Sequence, residues 1–351
     1  MIVRDVTLRD FRSYASLELS LEAGIVLLHG PNGSGKTNLL EALHVGTQGF
    51  SPRARRDGTM IRFDADAARV ALAGSLGTNA FATDVVLTRR DARRVELNGE
   101  RLSSGERLRH ELTTLVFTPD RLAVVKGGPA TRRAYFDRVV GRLLPARAAL
   151  ANEYGSAVGQ RNAGLRRIRA GASTRAALAP WTERVVALGE ALVRARLDAI
   201  DLLSPHFAEH AGELGLDGGI LSYDGEAPTP DDLAARVDAD VERGVTGLGP
   251  HLHDVHVEAG GRDLRSYGSQ GEQRMAVLAL VLAEASALRA RLDVPPLVLL
   301  DDVLSELDGD RRRSLARMLE RGSQTVVTAT AAAALPVEPA QALSVTPGQV
   351  R

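Results

Sequence analysis

Gly30, Pro31, Asn32, Gly33, Ser34, Gly35, Lys36 and Thr37 constrain the fold of this chain more than any other stretch. The order is glycine, four residues, glycine, lysine, threonine, set between an apolar run at residues 25–28 and a helical pattern that begins near Asn38. A strand, a glycine-rich loop and a helix in that succession make a P-loop. Lacking Cβ atoms, the glycines let the backbone wrap until its N–H groups point at phosphate oxygens, and the following helix adds the positive end of its dipole. The pattern predicts that residues 30–38 cradle the phosphates of a nucleoside triphosphate such as ATP, with Lys36 on the outer phosphates and the Thr37 hydroxyl on Mg2+.

Lys36 gains weight from what surrounds it, because Lys126 is the only other lysine and every remaining side-chain cation is arginine or histidine. A chain that prefers arginine but keeps lysine here is using a compact point charge. The 351 residues carry 44 basic and 44 acidic side chains, so a nucleic-acid partner would have to be held by a local patch. Arg53, Arg55, Arg56, Arg89, Arg90, Arg93, Arg94, Arg166, Arg167 and Arg169 are candidates for such a patch. The absence of cysteine excludes disulfides, thiolate zinc sites and cysteine nucleophiles, and it suits a cytoplasmic address. Residues 1–12 are charged and strand-like rather than a signal peptide, and no window approaches 18 consecutive apolar residues, so no membrane partner is expected.

Apolar patterns place strands at residues 2–8, 15–21 and 24–29, the last a buried central strand that runs into the P-loop. Alternation at residues 69–76, 80–88 and 93–97, with a hairpin turn at Asn98 and Gly99, predicts an antiparallel sheet beside it. One more buried strand is expected at residues 113–117. Strand signals vanish over residues 145–215, where Val185, Leu188, Leu192, Ala195, Ala199 and Leu202 recur at helical spacing, the seam of a helix pair. Strands return near residues 220–223 and 254–258, with a second turn at Gly260 and Gly261, then at 297–300 and 325–328. The last fifteen residues, with Pro339 and Pro347, suggest no element. The expected organisation is an N-terminal part of a head at 1–144, an inserted helical lobe at 145–215 and the C-terminal part of the head at 216–351.

Four apolar residues ending in Asp301 and Asp302 have the form of a metal-holding carboxylate at a strand's C-terminal end, where ligands bind in open α/β sheets. Asp301 is expected to orient Mg2+ through its water shell, and Asp302 to orient or deprotonate the attacking water; Lys36, Asp301 and Asp302 are thus the candidate catalytic residues. A second anion site is suggested at Ser269 and Gly271, which open a helix apolar nearly all round. Since one nucleotide seldom needs both sites from one chain, Ser269 and the amides near Gly271 are expected to meet the terminal phosphate of a nucleotide held by another copy.

Together, residues 30–37, the Ser-Gln-Gly-Glu-Gln loop at 269–273, residues 299–302 and the Ser-Glu-Leu-Asp run at 305–308 resemble the ATP-binding-cassette heads of SMC-type DNA repair ATPases. Within that group the chain is similar to the RecF family of bacterial recombination mediators. Phe11, Arg12, Ser13 and Tyr14 carry that resemblance, as do residues 37–42 and the run from Pro119 and Asp120 through Gly127, Gly128, Pro129, Arg132, Arg133, Phe136 and Asp137. The resemblance implies an α/β fold: an ABC-type P-loop ATPase head of mixed parallel sheet and antiparallel subdomain, with an all-helical lobe. It implies ATP-dependent homodimerisation, slow hydrolysis as a switch, and binding to single- and double-stranded DNA, with gapped or junction DNA preferred. It also implies a cytoplasmic, nucleoid-associated place in DNA replication, repair and the SOS response, assisting RecA loading with RecO and RecR.

Three departures from the family patterns stand out. Asp302 stands where many cassette ATPases have glutamate, Thr328, Ala329 and Thr330 stand where transporters carry a histidine, and Leu252 replaces an arginine in the segment Gly249, Pro250, His251, Leu252, His253, Asp254. Two other classes share the P-loop. A transporter-type nucleotide-binding subunit would lack its histidine, and a small-molecule kinase would leave the Ser269 loop and residues 305–308 without a purpose.

Overall fold

Val3, Val6, Leu8 and Phe11 are buried along the first strand, and the alternation skips twice: at Arg4 and Asp5, both exposed, where the register shifts between Val3 and Asp5, and at Arg9 and Asp10. This computed structural model describes residues 1–292, 294–322 and 324–351, and for Asp120 and Glu306 the backbone alone, so those two side chains of the family-like motifs lie outside the described residues. The strands are β1 (Ile2–Phe11), β2 (Tyr14–Ser20), β3 (Ile25–His29), β4 (Ala67–Leu76), β5 (Asn79–Thr88), β6 (Arg94–Leu97), β7 (Glu100–Arg101) and β8 (Thr114–Phe117). They continue as β9 (Ile220–Asp224), β10 (Asp254–Ala259), β11 (Arg262–Asp263), β12 (Leu297–Leu300), β13 (Thr325–Ala329), β14 (Gln341–Thr346) and β15 (Gln349–Val350).

The chain divides into two compact units, the first comprising Met1–Arg121, Glu213–Gly215 and Val277–Arg351. Two sheets build it. One is antiparallel, in the order β2-β1-β4-β5-β6-β7; the other runs β15-β14-β3-β13-β12-β8 and is parallel apart from the β14–β15 pair. Asn98 and Gly99 turn β6 into β7 with φ of 52° and 80°, as a tight two-residue hairpin requires. The buried faces of both sheets and the helix Lys36–Gln48 share one hydrophobic cluster, which includes Val6, Leu8, Leu28, Leu39, Leu43 and Val70. Gln324, 2% exposed, ties β1 into this unit. Its Oε1 accepts from Val3 N–H at 2.8 Å, and its Nε2 donates to the carbonyls of Val3 (2.7 Å) and Glu22 (2.8 Å). The amide thus satisfies backbone groups beside the bulge, which would otherwise be buried without partners.

The C-terminal residues, silent in the sequence, supply β14, which pairs parallel with β3 from Gln341↔Val26 to Ser344↔His29. A six-residue strand with weak alternation, flanked by prolines, has no signature of its own; its conformation is set by the strand it lies against. Helices at Gly105–Glu111, Pro230–Ala235 and Val237–Arg243 also went unread, each too short for a periodicity to declare itself.

The second unit comprises Leu122–Gly212 and Leu216–Ala276. Its long helices are Leu150–Arg169 and Ala179–Glu213. Val185, Leu192, Ala195 and Ala199 of the predicted seam are buried, and Leu188 and Leu202 are half-buried. Val185 and Leu192 pack with Tyr154, Ala157, Val158 and Leu233. Arg161 and Asp240, each about 1% exposed, form a buried ion pair at 2.8 Å, and Arg161 also donates to Thr246. The strands of this unit form a small antiparallel sheet, β11-β10-β9, turned at Gly260 and Gly261.

Candidate functional site

The P-loop leaves β3 at His29 and enters the helix Lys36–Gln48 at its first residue. A Cβ on Gly30 would lie 2.2 Å from the carbonyl oxygen of Val345, so the neighbouring strand β14 is what forbids a side chain there. Gly35 has φ of 112°, and a Cβ on it would come within 3.0 Å of Ser13 Oγ and Tyr14 Oη. The first turn of the helix has no side-chain cap, which leaves its N–H groups facing the loop. Ser34 Oγ is buried and, among the described residues, has no hydrogen-bond partner. A buried hydroxyl in that condition is rare in folded proteins and marks a place where an absent acceptor fits. Lys36, 8% exposed, donates from Nζ to the carbonyls of Gly30 (2.7 Å) and Pro31 (2.9 Å). Burial pushes its amine below the ordinary lysine value, while the charges of Asp302 and Asp301 pull it back.

Asp301 and Asp302 end β12, beside β13 and β8. Asp301 is buried, and its Oδ1 accepts from Thr37 Oγ1 at 3.0 Å and from Thr328 Oγ1 at 2.9 Å. Burial pushes its carboxyl above the usual aspartate range, opposed by the hydrogen bonds from Thr328 and Thr37 and by the charge of Arg53. Asp302 is half-buried and left-handed, with φ of 50° and ψ of 30°, and its N–H donates to Thr328 Oγ1 at 2.8 Å. Its carbonyl accepts from Ser305 Oγ at 3.0 Å as the chain turns through Val303–Glu306. Asp302, Ser305, Arg312 and Thr330 line an open pocket there. Lys36, Thr37, Asp301 and Asp302 are therefore brought to one edge of the parallel sheet.

Sequence reasoning noted Thr328, with Ala329 and Thr330, only as standing where transporters carry a histidine, and gave it no role in the site. Two of the family-like stretches also acquire a physical meaning. Arg12, in the turn between β1 and β2, makes a bidentate pair with the fully buried Glu41 carboxylate, both bonds at 2.8 Å. Asn38 Nδ2 donates to Ser13 Oγ at 3.0 Å, and Tyr14 Oη donates to the Gly35 carbonyl at 3.1 Å. The turn thus braces the loop and the first turns of its helix.

Ser269 and Gly271 belong to the second unit. Ser269 caps the helix Gln270–Arg291: its Oγ accepts from Glu272 N–H at 3.2 Å and its own N–H donates to Glu272 Oε2 at 2.7 Å. Gly271 lies in the first turn. In the same unit Arg132 grips both Asp254 carboxylate oxygens, and Arg133 donates to the His253 carbonyl at 2.6 Å, so the middle motif holds the turn at residues 249–254. Leu252 is 55% exposed. Among the candidate arginines, Arg53, Arg93 and Arg94 face Glu41, Asp57 and Glu96, whereas Arg55, Arg56, Arg90 and Arg167 are exposed with no acidic partner among the described residues. Among the described residues no helix is long and apolar enough to cross a membrane.

Residues 2–346 match the family model of the RecF/RecN/SMC N terminal domain. Over 344 residues the chain is 33% identical to the DNA replication and repair protein RecF of Heliobacterium modesticaldum, covering 94% of this chain and 92% of that one. The chain belongs to the RecF family. RecF of Anaeromyxobacter dehalogenans is 39% identical over 328 residues, covering 88% and 86%. The fold is also that of a solved structure of the recombination mediator protein RecF with ATP in the RecFOR pathway: TM-score 0.85, 24% identity, 99% of this chain and 96% of that chain. A SMC head bound to the C-terminal winged-helix domain of ScpA superposes with a TM-score of 0.62 at 16% identity, covering 100% and 96%. The α/β ATPase-head architecture expected from the motifs is the one observed. RecF membership leaves the transporter and kinase readings without support.

Proposed function

We propose that this chain binds ATP and Mg2+ at the P-loop, closes into a homodimer around the nucleotide, hydrolyses it slowly, and uses that cycle to control its hold on gapped or junction DNA. The observation that carries the reading is the meeting of Thr37 with Asp301 at 3.0 Å. A hydroxyl and a carboxylate so placed suit Mg2+, which is held by few protein oxygens and takes its other ligands from phosphates and water. Bound there, Mg2+ would neutralise charge developing on the transferred phosphoryl group. Thr37 would ligate it, and Asp301 would orient its water shell. Lys36 would turn its Nζ from the Gly30 and Pro31 carbonyls to the outer phosphates, and Ser34 would find the acceptor it lacks. Asp302, beside an open pocket, would hold or deprotonate the attacking water.

Ser269 and the first-turn amides near Gly271 would serve the terminal phosphate of a nucleotide held by a second copy. In the single chain the Glu272 carboxylate accepts the Ser269 N–H and Ser269 Oγ accepts the Glu272 N–H, and a phosphate would compete with these acceptors for the two donors. Ser269→Arg is expected to abolish ATP-induced dimers while sparing ATP binding, because a long cationic side chain would enter the joint. Gel filtration with and without ATP, beside titration of a fluorescent nucleotide, measures both; a dimer that persists would sink the trans role.

The names of the relatives support a part in DNA replication and repair, and the RecFOR pathway supports RecO and RecR as partners. Assistance to RecA loading, a role in the SOS response and a cytoplasmic, nucleoid-associated address rest on the same family likeness. Arg55, Arg56, Arg90 and Arg167 are the phosphate contacts we favour, since Arg53, Arg93 and Arg94 face acids and Arg89, Arg166 and Arg169 donate to backbone carbonyls. The test is binding to gapped duplex with ATP, with ADP and across salt. Tighter binding with ATP and a steep fall with salt are expected; equal affinity in every nucleotide state refutes the gating.

A further inference from the structure

We propose that Thr328 is the positioning residue of the hydrolytic site, its single hydroxyl fixing both the metal-facing carboxylate of Asp301 and the backbone that presents Asp302. This rests on the nucleotide reading above. Thr328 lies near the C-terminal end of β13, fully buried, next to the end of β12. Its Oγ1 donates to Asp301 Oδ1 at 2.9 Å and accepts from Asp302 N–H at 2.8 Å. A hydroxyl has one proton to give and lone pairs to receive, so one group can serve both acids at once.

Each bond meets a need the local backbone creates. Asp301 Oδ1 takes its second donor from Thr37, so the carboxylate is held from two sides and its plane is set by Thr37 and Thr328 together. Asp302 occupies the left-handed region, which disfavours any residue with a Cβ, and it does so where β12 ends and the chain turns. The bond from its N–H to Thr328 holds that conformation and prevents a partly buried donor from going unpaired. Because β13 is hydrogen-bonded to both β12 and β3, the hydroxyl is borne by the strand between the acids and the P-loop strand. A shift of β13 would therefore reach the Asp301 carboxylate and the Asp302 backbone together.

Thr328→Val removes the hydroxyl but keeps the β-branched shape, and Thr328→Ser keeps the hydroxyl with less bulk. Losing a partner that orients a metal ligand typically costs about 10- to 100-fold. We expect Thr328→Val to lower ATP turnover by about that factor and to raise the Mg2+ concentration needed for half-maximal turnover. Nucleotide affinity should stay near wild type while the thermal midpoint falls, since the Asp302 N–H and Asp301 Oδ1 lose a partner, and Thr328→Ser should restore turnover, the Mg2+ requirement and the midpoint. The assays are phosphate release against Mg2+, fluorescent-nucleotide titration and thermal melts on the full chain. Unchanged turnover and Mg2+ requirement in Thr328→Val overturn the proposal, as does equal impairment of both variants or a turnover loss matched by lost nucleotide binding, since these indicate packing alone. A wild-type chain that binds no nucleotide would instead refute the underlying reading, a failure visible before any variant is compared.

Discussion

Lys36→Met is expected to weaken Mg-ATP binding by roughly 10- to 100-fold without loosening the fold. A charge-assisted hydrogen bond contributes about 1.5–3 kcal/mol, and about 1.4 kcal/mol is tenfold in affinity. Methionine keeps the length of the side chain and removes the charge. The fold should tolerate the change because the bonds Lys36 now makes run only to Gly30 and Pro31 carbonyls within its own loop. The lysine is also held below its ordinary pKa by burial, so the folded chain gains little from keeping it charged until a phosphate arrives. Fluorescent-nucleotide titration beside a thermal melt separates the two effects. Wild-type affinity in this variant would remove Lys36 from the phosphate site, and a large fall in melting temperature would show a structural lysine instead.

The second large effect is expected from Asp302→Asn. The amide has the shape of the carboxylate but neither its charge nor its basicity, and loss of a general base costs about 100- to 10,000-fold in the chemical step. Because the backbone of Asp302 is held by Thr328 and Ser305, the turn should survive the exchange. ATP should still bind, and the ATP-bound dimer should accumulate because its exit by hydrolysis is blocked. Single-turnover phosphate release and gel filtration with ATP read the two consequences. Hydrolysis at the wild-type rate would exclude Asp302 as the group acting on water, and a monomer with ATP would break the link between hydrolysis and opening. The pair of variants is diagnostic together: Lys36→Met should fail before the dimer forms, and Asp302→Asn after it.

Most strands were legible because their signals are local. β12 is a continuous apolar run ending in two acids, and β6–β7 is announced by Asn98 and Gly99, whose positive φ the hairpin needs. The elements that escaped reading are those whose conformation is imposed from outside. β14 has little alternation of its own and becomes a strand by pairing with β3, and the helix Gly105–Glu111 is shorter than two turns of pattern. The site divides the same way. Gly30 to Thr37 and Asp301 declare themselves by type and order, whereas Thr328 is an ordinary strand threonine until its neighbours are known.

The phosphate loop, the acids at the end of an apolar strand and the longer strands and helices follow from the sequence alone, because each depends on residues within a few positions of one another. Which groups act together depends on tertiary packing. Parallel pairing sets β13 between β3 and β12, and that places Thr37, Asp301 and Thr328 within hydrogen-bond reach although long stretches of chain separate them. It also adds a second reason for Gly30, which the sequence reads only as a glycine that lets the loop wrap around phosphate. The structure shows a residue pressed against Val345 of β14, where the backbone of another strand leaves no room for a Cβ.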